Sequence, residues 1–172
     1  MSEISRYSFF RQLLEKGPII LLVISVLNEF DLNYLNLKYF SFNFPFILIY
    51  YWSLKKPSSI GHGLIFITGL FNDAVVGLPI GISALAYLLI CGFSAYLRNI
   101  TLRPSLVKDW FFFGFTILVV NSVIYVIVSL FFNVQILYES VLVNILFTFL
   151  FYVIFSNVFD YYQKLVFGGP HV

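Results

Sequence analysis

The sequence predicts an all-α integral membrane protein, a compact bundle of six transmembrane helices with both termini cytoplasmic. Three observations lead there. The chain is 60% hydrophobic and only 10% charged, where a soluble domain carries roughly 25% charged residues. Its apolar runs approach the ~20 residues that a helix needs to cross a bilayer, and six of them leave little of the 172 residues for loops. Finally, the basic residues segregate. Arg6, Arg11 and Lys16 precede the first run, Lys55 and Lys56 follow the second, Arg98, Arg103 and Lys108 follow the fourth, and Lys164 follows the sixth. Only Lys38 falls on the other side, and cytoplasmic loops are the ones that collect Lys and Arg.

The first span is expected over residues 17–36. Arg11 and Lys16 before an apolar run could suggest a signal peptide, but the run leads into Asn28-Glu29-Phe30-Asp31 with no small-residue cleavage pattern. A retained span is therefore expected. The second span, 40–54, is short and carries Pro45. Tyr50-Tyr51-Trp52 reads as an aromatic belt at headgroup level, and Lys55-Lys56-Pro57 as a basic stop. Charge argues for this span more strongly than hydropathy does. Without it, Lys55, Lys56, Arg98, Arg103 and Lys108 would join Lys38 outside.

Spans three (60–76) and four (80–97) are joined through Gly77-Leu78-Pro79, which makes a tight hairpin. Residues 98–108 form the largest internal loop, Trp110 opens the fifth span (110–132), and the sixth covers 137–159. All six form a single membrane domain. No segment outside the bilayer reaches the roughly 50 residues of a small folded domain, so the chain is expected to act within the membrane or through partners. The net charge of +2 follows from the cytoplasmic basic residues and does not suggest nucleic-acid binding. Cys91, the single cysteine, has no disulfide partner within the chain and reads as a packing residue.

Asp73 is the acidic residue placed well inside an apolar segment, Gly69-Leu70-Phe71-Asn72-Asp73-Ala74-Val75-Val76-Gly77-Leu78-Pro79-Ile80-Gly81. An Asp at a span centre costs about 2.5–3.5 kcal/mol on insertion scales, so it calls for a partner. Gly61, Gly69, Asp73 and Gly77 are separated by multiples of four and share one helix face, where small residues let a neighbouring backbone approach. Three readings compete. Asp73 bonds to Asn121 or Asn144, or caps the fourth span, as internal packing. Alternatively its face is a docking seam for another membrane protein, or the carboxylate carries a proton or ion. Glu29, Asp31 and Glu139 read as solvated edge charges, and His62 and His171 as isolated. No spacing of His, Cys, Asp and Glu resembles a metal site, and no nucleophile–base pair, phosphate loop or paired carboxylates appear. Neither an enzyme nor a cofactor is indicated.

From Tyr50 to Arg98 the chain resembles the rod shape-determining protein MreD family. The resemblance lies in Tyr51-Trp52, Pro57, Gly61, Gly63, Gly69-Leu70-Phe71-Asn72-Asp73, Gly77, Gly81 and Tyr96-Leu97, with Pro45 early in the short second span. Asn72 stands where an apolar residue is more usual. The resemblance covers about 50 residues; the flanks agree mainly in hydropathy. It implies a non-enzymatic inner-membrane scaffold of the bacterial elongation complex. Such a scaffold binds MreC and, through it, MreB filaments and the wall-building synthase and transpeptidase. Gly69, Asn72, Asp73, Gly77 and Gly81 become the candidate partner-binding or structural motif, although Gly77 and Gly81 also suit a hairpin alone. The alternative is the substrate-binding membrane subunit of an energy-coupling factor vitamin transporter, also a six-helix protein. Those subunits share Ala-x-x-x-Ala spacing in their first span, whereas residues 19–27 here are bulky apart from Ser25.

Overall fold

The computed structural model describes residues 16–27, 41–101, 105–132 and 138–167. Within them the chain forms six α-helices: α1 (Gly17–Leu27), α2 (Phe44–Lys55), α3 (His62–Val76), α4 (Ile82–Ile100), α5 (Leu106–Phe132) and α6 (Tyr138–Phe167). There is no β-strand among the described residues. Three helices are long and apolar enough to cross a membrane: α4, α5 and α6. α1 and α3 are apolar but shorter.

The helix at the centre is the shortest after α1. Pro45 sits in the first turn of α2, where its missing N–H costs nothing. Asn43 caps that turn, its side chain accepting a bond from the Phe46 N–H at 3.2 Å. Twelve residues at 1.5 Å each give about 18 Å of helix, short of a ~30 Å hydrocarbon core. Phe44 and every residue from Phe46 to Leu54 are buried, so α2 is enclosed on all sides. A helix that is apolar all round belongs in such an interior. It packs against α1, α4 and α6, and Tyr50 reaches Phe113 of α5 with ring centroids 4.9 Å apart.

This placement corrects the aromatic-belt reading. Tyr50, Tyr51 and Trp52 are 0% exposed. Tyr51 and Trp52 pack on Phe159, and Tyr50 stands edge-on to Tyr152. Belt residues face lipid headgroups, whereas these three are among the largest of the fully buried side chains.

Several boundaries differ from those expected, each for a local reason. α2 begins at Phe44 because Asn43 and Pro45 set its start. α5 begins at Leu106, so Lys108 belongs to its first turn, with Asp109, rather than to the loop. α6 runs beyond residue 159 to Phe167, because Asp160 and Gln163 find a partner inside the bundle. The second half of the first expected span, with Lys38, Glu29 and Asp31, lies outside the described residues.

Aromatic pairs join the last two helices: Trp110 stacks on Phe149 at 4.6 Å and Phe113 on Tyr152 at 4.5 Å. Three buried hydroxyls are satisfied locally, Thr68 bonding the Ile65 carbonyl, Ser94 that of Cys91 and Thr116 that of Phe112. Such back-bonding keeps a polar side chain neutral to the apolar packing around it.

Candidate functional site

The α3–α4 hairpin gathers the residues singled out in the sequence. Gly77 ends α3 at φ 75, a left-handed conformation that suits a residue without a β-carbon. Its N–H and that of Leu78 both bond the Asp73 carbonyl. Gly81 precedes α4 at φ 105 and cannot cap it with a side chain. Asp73 supplies the missing cap from the opposite helix. Its carboxylate accepts the Gly81 N–H at 2.7 Å and the Ser83 N–H at 2.8 Å, and the residue is 0% exposed. A carboxylate at a helix N-terminus meets both unpaired N–H groups and the positive end of the helix dipole.

Gly69, one turn earlier, lies against α4. A β-carbon there would collide with the Cα and backbone nitrogen of Ala84. Asn72 completes the hairpin, its side-chain NH₂ donating to the Ser83 hydroxyl at 2.9 Å. All five motif residues therefore meet at one hairpin. Gly69 and Asp73 face its interior, while Leu64, Phe66, Ile67, Phe71, Val75 and Val76 are the exposed large residues of α3. Gly61 and Gly63 border open space at the far end of the helix.

Neither Asn121 nor Asn144 bonds Asp73. Asn121 donates to the Ile117 carbonyl at 2.8 Å, and Asn144 to the Ser41 hydroxyl at 2.6 Å. Instead both line a cavity of about 480 Å³ with Asn43 and Asn72. The cavity lies at the Asn43 end of α2. It exists because that helix is short: above its first turn, facing residues of α1, α3, α4, α5 and α6 surround the space it leaves. Ser25, Ser41, Ser83 and Tyr87 add hydroxyls to the wall, and Phe42, Phe44 and Phe46 add rings. No single segment of sequence announces this site, since its four asparagines come from four separate stretches.

The opposite end of α2 holds a second polar cluster. Lys55 pairs with Asp109 at 2.9 Å, with side chains 25% and 5% exposed. The Tyr50 hydroxyl donates to the Asp109 carbonyl at 3.2 Å, and Arg98 donates to the Ser53 carbonyl at 3.0 Å. Tyr51 donates to Asp160 at 2.5 Å. These contacts bring Lys55, Arg98, Asp109 and Asp160 to one end of the bundle, with α2, α4 and α6 ending there and α5 starting. Sequence reading missed Asp109 because it borders a loop, flanked by Lys108. Asp109→Ala is expected to cost about 2–3 kcal/mol. That is below the 3–5 kcal/mol typical of a broken buried pair because Lys55 still reaches solvent. Replacing both with apolar residues, Lys55→Met with Asp109→Leu, is expected to regain most of the loss in unfolding titrations. Equal losses in the single and double variants would refute the pairing account.

Cys91 is buried, 3.4 Å from the Ser53 hydroxyl, and His62 is exposed at the start of α3. His171 lies outside the described residues. No group of three His, Cys, Asp or Glu among the described residues could hold a metal ion. On the outside of α5 and α6, a groove of about 440 Å³ runs past Gly114 between Phe111, Phe115, Leu142 and Leu146, and it is wholly apolar. No protein-family model, curated protein or solved structure matches the chain.

Proposed function

We propose that this protein is a non-enzymatic scaffold of the bacterial cell-elongation complex. In this reading it is a six-span protein of the inner membrane with both ends cytoplasmic. It maintains cell shape by binding MreC and, through MreC, organises MreB filaments and the peptidoglycan synthase and transpeptidase. The observation that carries the reading is the ordered set Tyr51-Trp52, Pro57, Gly69-x-x-x-Asp73, Gly77 and Gly81. Those residues form one unit, a buried central helix followed by a close-packed hairpin. Connections among α3, α4, α5 and α6 are no longer than five residues, so those helices offer partners their intramembrane faces. Lys55 and Arg98 gather at one end of the bundle, which suits a cytoplasmic face.

In this reading Gly69 and Asp73 act indirectly. They hold α3 against α4 and so fix the direction in which Ile67, Phe71 and Val75 face a partner's single transmembrane helix. A photo-crosslinking residue at Ile67 or Phe71, activated in living cells, tests it through mass spectrometry of the captured partners. Capture of MreC or the elongation synthase is the expected result.

The cavity favours a second reading, the substrate-binding subunit of an energy-coupling factor vitamin transporter. Capture of an ATPase together with a membrane coupling subunit would move the assignment there.

A further inference from the structure

We infer that the cavity at the Asn43 end of α2 binds an uncharged, hydroxyl-rich ligand: a glycosyl group, either as a free sugar or as the headgroup of a neutral glycolipid. Among the described residues the lining contains no Lys, Arg, His, Asp or Glu. A phosphate, carboxylate or ammonium entering it would meet no counter-charge from those residues, and a charge that leaves water without one is costly. Amides are different. Each carries both a donor and an acceptor, the complement of a group such as a sugar hydroxyl that is also both.

Bonds within the protein leave part of that capacity open. Asn72 and Asn121 each use their NH₂, bonding Ser83 and Ile117. Asn43 uses its carbonyl oxygen on the Phe46 N–H. The Asn72 and Asn121 carbonyl oxygens and the Asn43 NH₂ have no protein partner among the described residues. None of the three is a fully buried atom, so each remains open to water or to a ligand with matching groups. The rings of Phe42, Phe44 and Tyr87 add apolar faces of the kind that the C–H faces of a sugar ring pack on. A volume of about 480 Å³ lies within the range of small-molecule sites, about 300–1,000 Å³. Ligand binding of this kind goes beyond a scaffold that acts through protein contacts. It also fails independently of one, since crosslinking reads the α3 surface and a titration reads the cavity.

The test uses the full chain in lipid nanodiscs, titrated and analysed by native mass spectrometry. Three probes are compared: monoglucosyl diacylglycerol, free maltose and phosphatidylglycerol. The expected result is saturable binding of the glucosyl lipid, of maltose, or of both, in preference to phosphatidylglycerol. Binding of the glucosyl lipid alone assigns the glycolipid source, and competition by maltose assigns a free sugar. Asn121→Leu and Tyr87→Phe are each expected to weaken that binding about tenfold, the loss of one hydrogen bond to the ligand. Asn121 bonds only its own helix, so Asn121→Leu is expected to keep the wild-type unfolding midpoint and to report on the ligand alone. Absence of saturable binding by both sugar probes overturns the inference. So does equal retention of phosphatidylglycerol, or unchanged affinity in both variants.

Discussion

Asp73→Ala is expected to lower the unfolding free energy in bicelles by about 2–4 kcal/mol. The carboxylate makes two charge-assisted bonds to backbone N–H groups, each worth about 1.5–3 kcal/mol before relaxation. Removing an ordinary N-cap costs about 0.5–2 kcal/mol, and here the cap is fully buried and comes from another helix. Alanine would leave the Gly81 and Ser83 N–H groups without their acceptor, and Gly81 offers no side chain to replace it. Asp73→Asn retains one carbonyl oxygen but turns an NH₂ toward the second N–H, so it is expected to recover less than half of the loss. A change below about 0.5 kcal/mol for the alanine variant would show that Asp73 does not hold the hairpin. Partner capture from Ile67 is expected to fall with the folded fraction. If Asp73→Ala left capture intact, the carboxylate would have no part in presenting that face.

The second large effect is expected at Gly69, one turn away. Gly69→Ala adds a single carbon, yet that carbon meets the Cα and nitrogen of Ala84, which no rotamer change can move aside. Overpacking of this kind costs about 1–3 kcal/mol, and more where backbone must shift; about 3 kcal/mol is expected here. The compensating variant Ala84→Gly removes only the β-carbon of Ala84 and leaves the clash with its backbone, so the double variant is expected to stay close to the single one. Full rescue by Ala84→Gly would place the contact in the side chain instead. Spreading α3 from α4 also pulls Asp73 from Ser83. The combined Gly69→Ala and Asp73→Ala variant is therefore expected to lose less than the two single losses added together.

Asp73 was legible in the sequence as a residue that needs a partner, because an acid inside an apolar run carries a stated cost. Capping of the fourth span was one of the readings the sequence offered, and it is the one the structure shows. The sequence did not choose it over the others, because the partners are backbone N–H groups, which every residue but proline possesses and no side-chain pattern marks. The asparagines considered as partners, Asn121 and Asn144, share a cavity with Asn72 rather than a bond with Asp73. Asp109, between the expected loop and the expected fifth span, drew no reading from the sequence, and only the approach of Lys55 from another helix makes it a buried ion pair.

By itself the sequence determined the helical class, the apolar runs, the tight turn at Gly77 and the gathering of basic residues at particular run ends. Those properties are local: hydropathy, backbone conformation and charge act on a segment before it meets its neighbours. Tertiary structure decided that α2 is the enclosed helix, that Tyr50, Tyr51 and Trp52 are core, and that a polar cavity opens beyond Asn43. An apolar helix has the same composition whether lipid or protein surrounds it, so its burial depends on packing against residues far away in the chain.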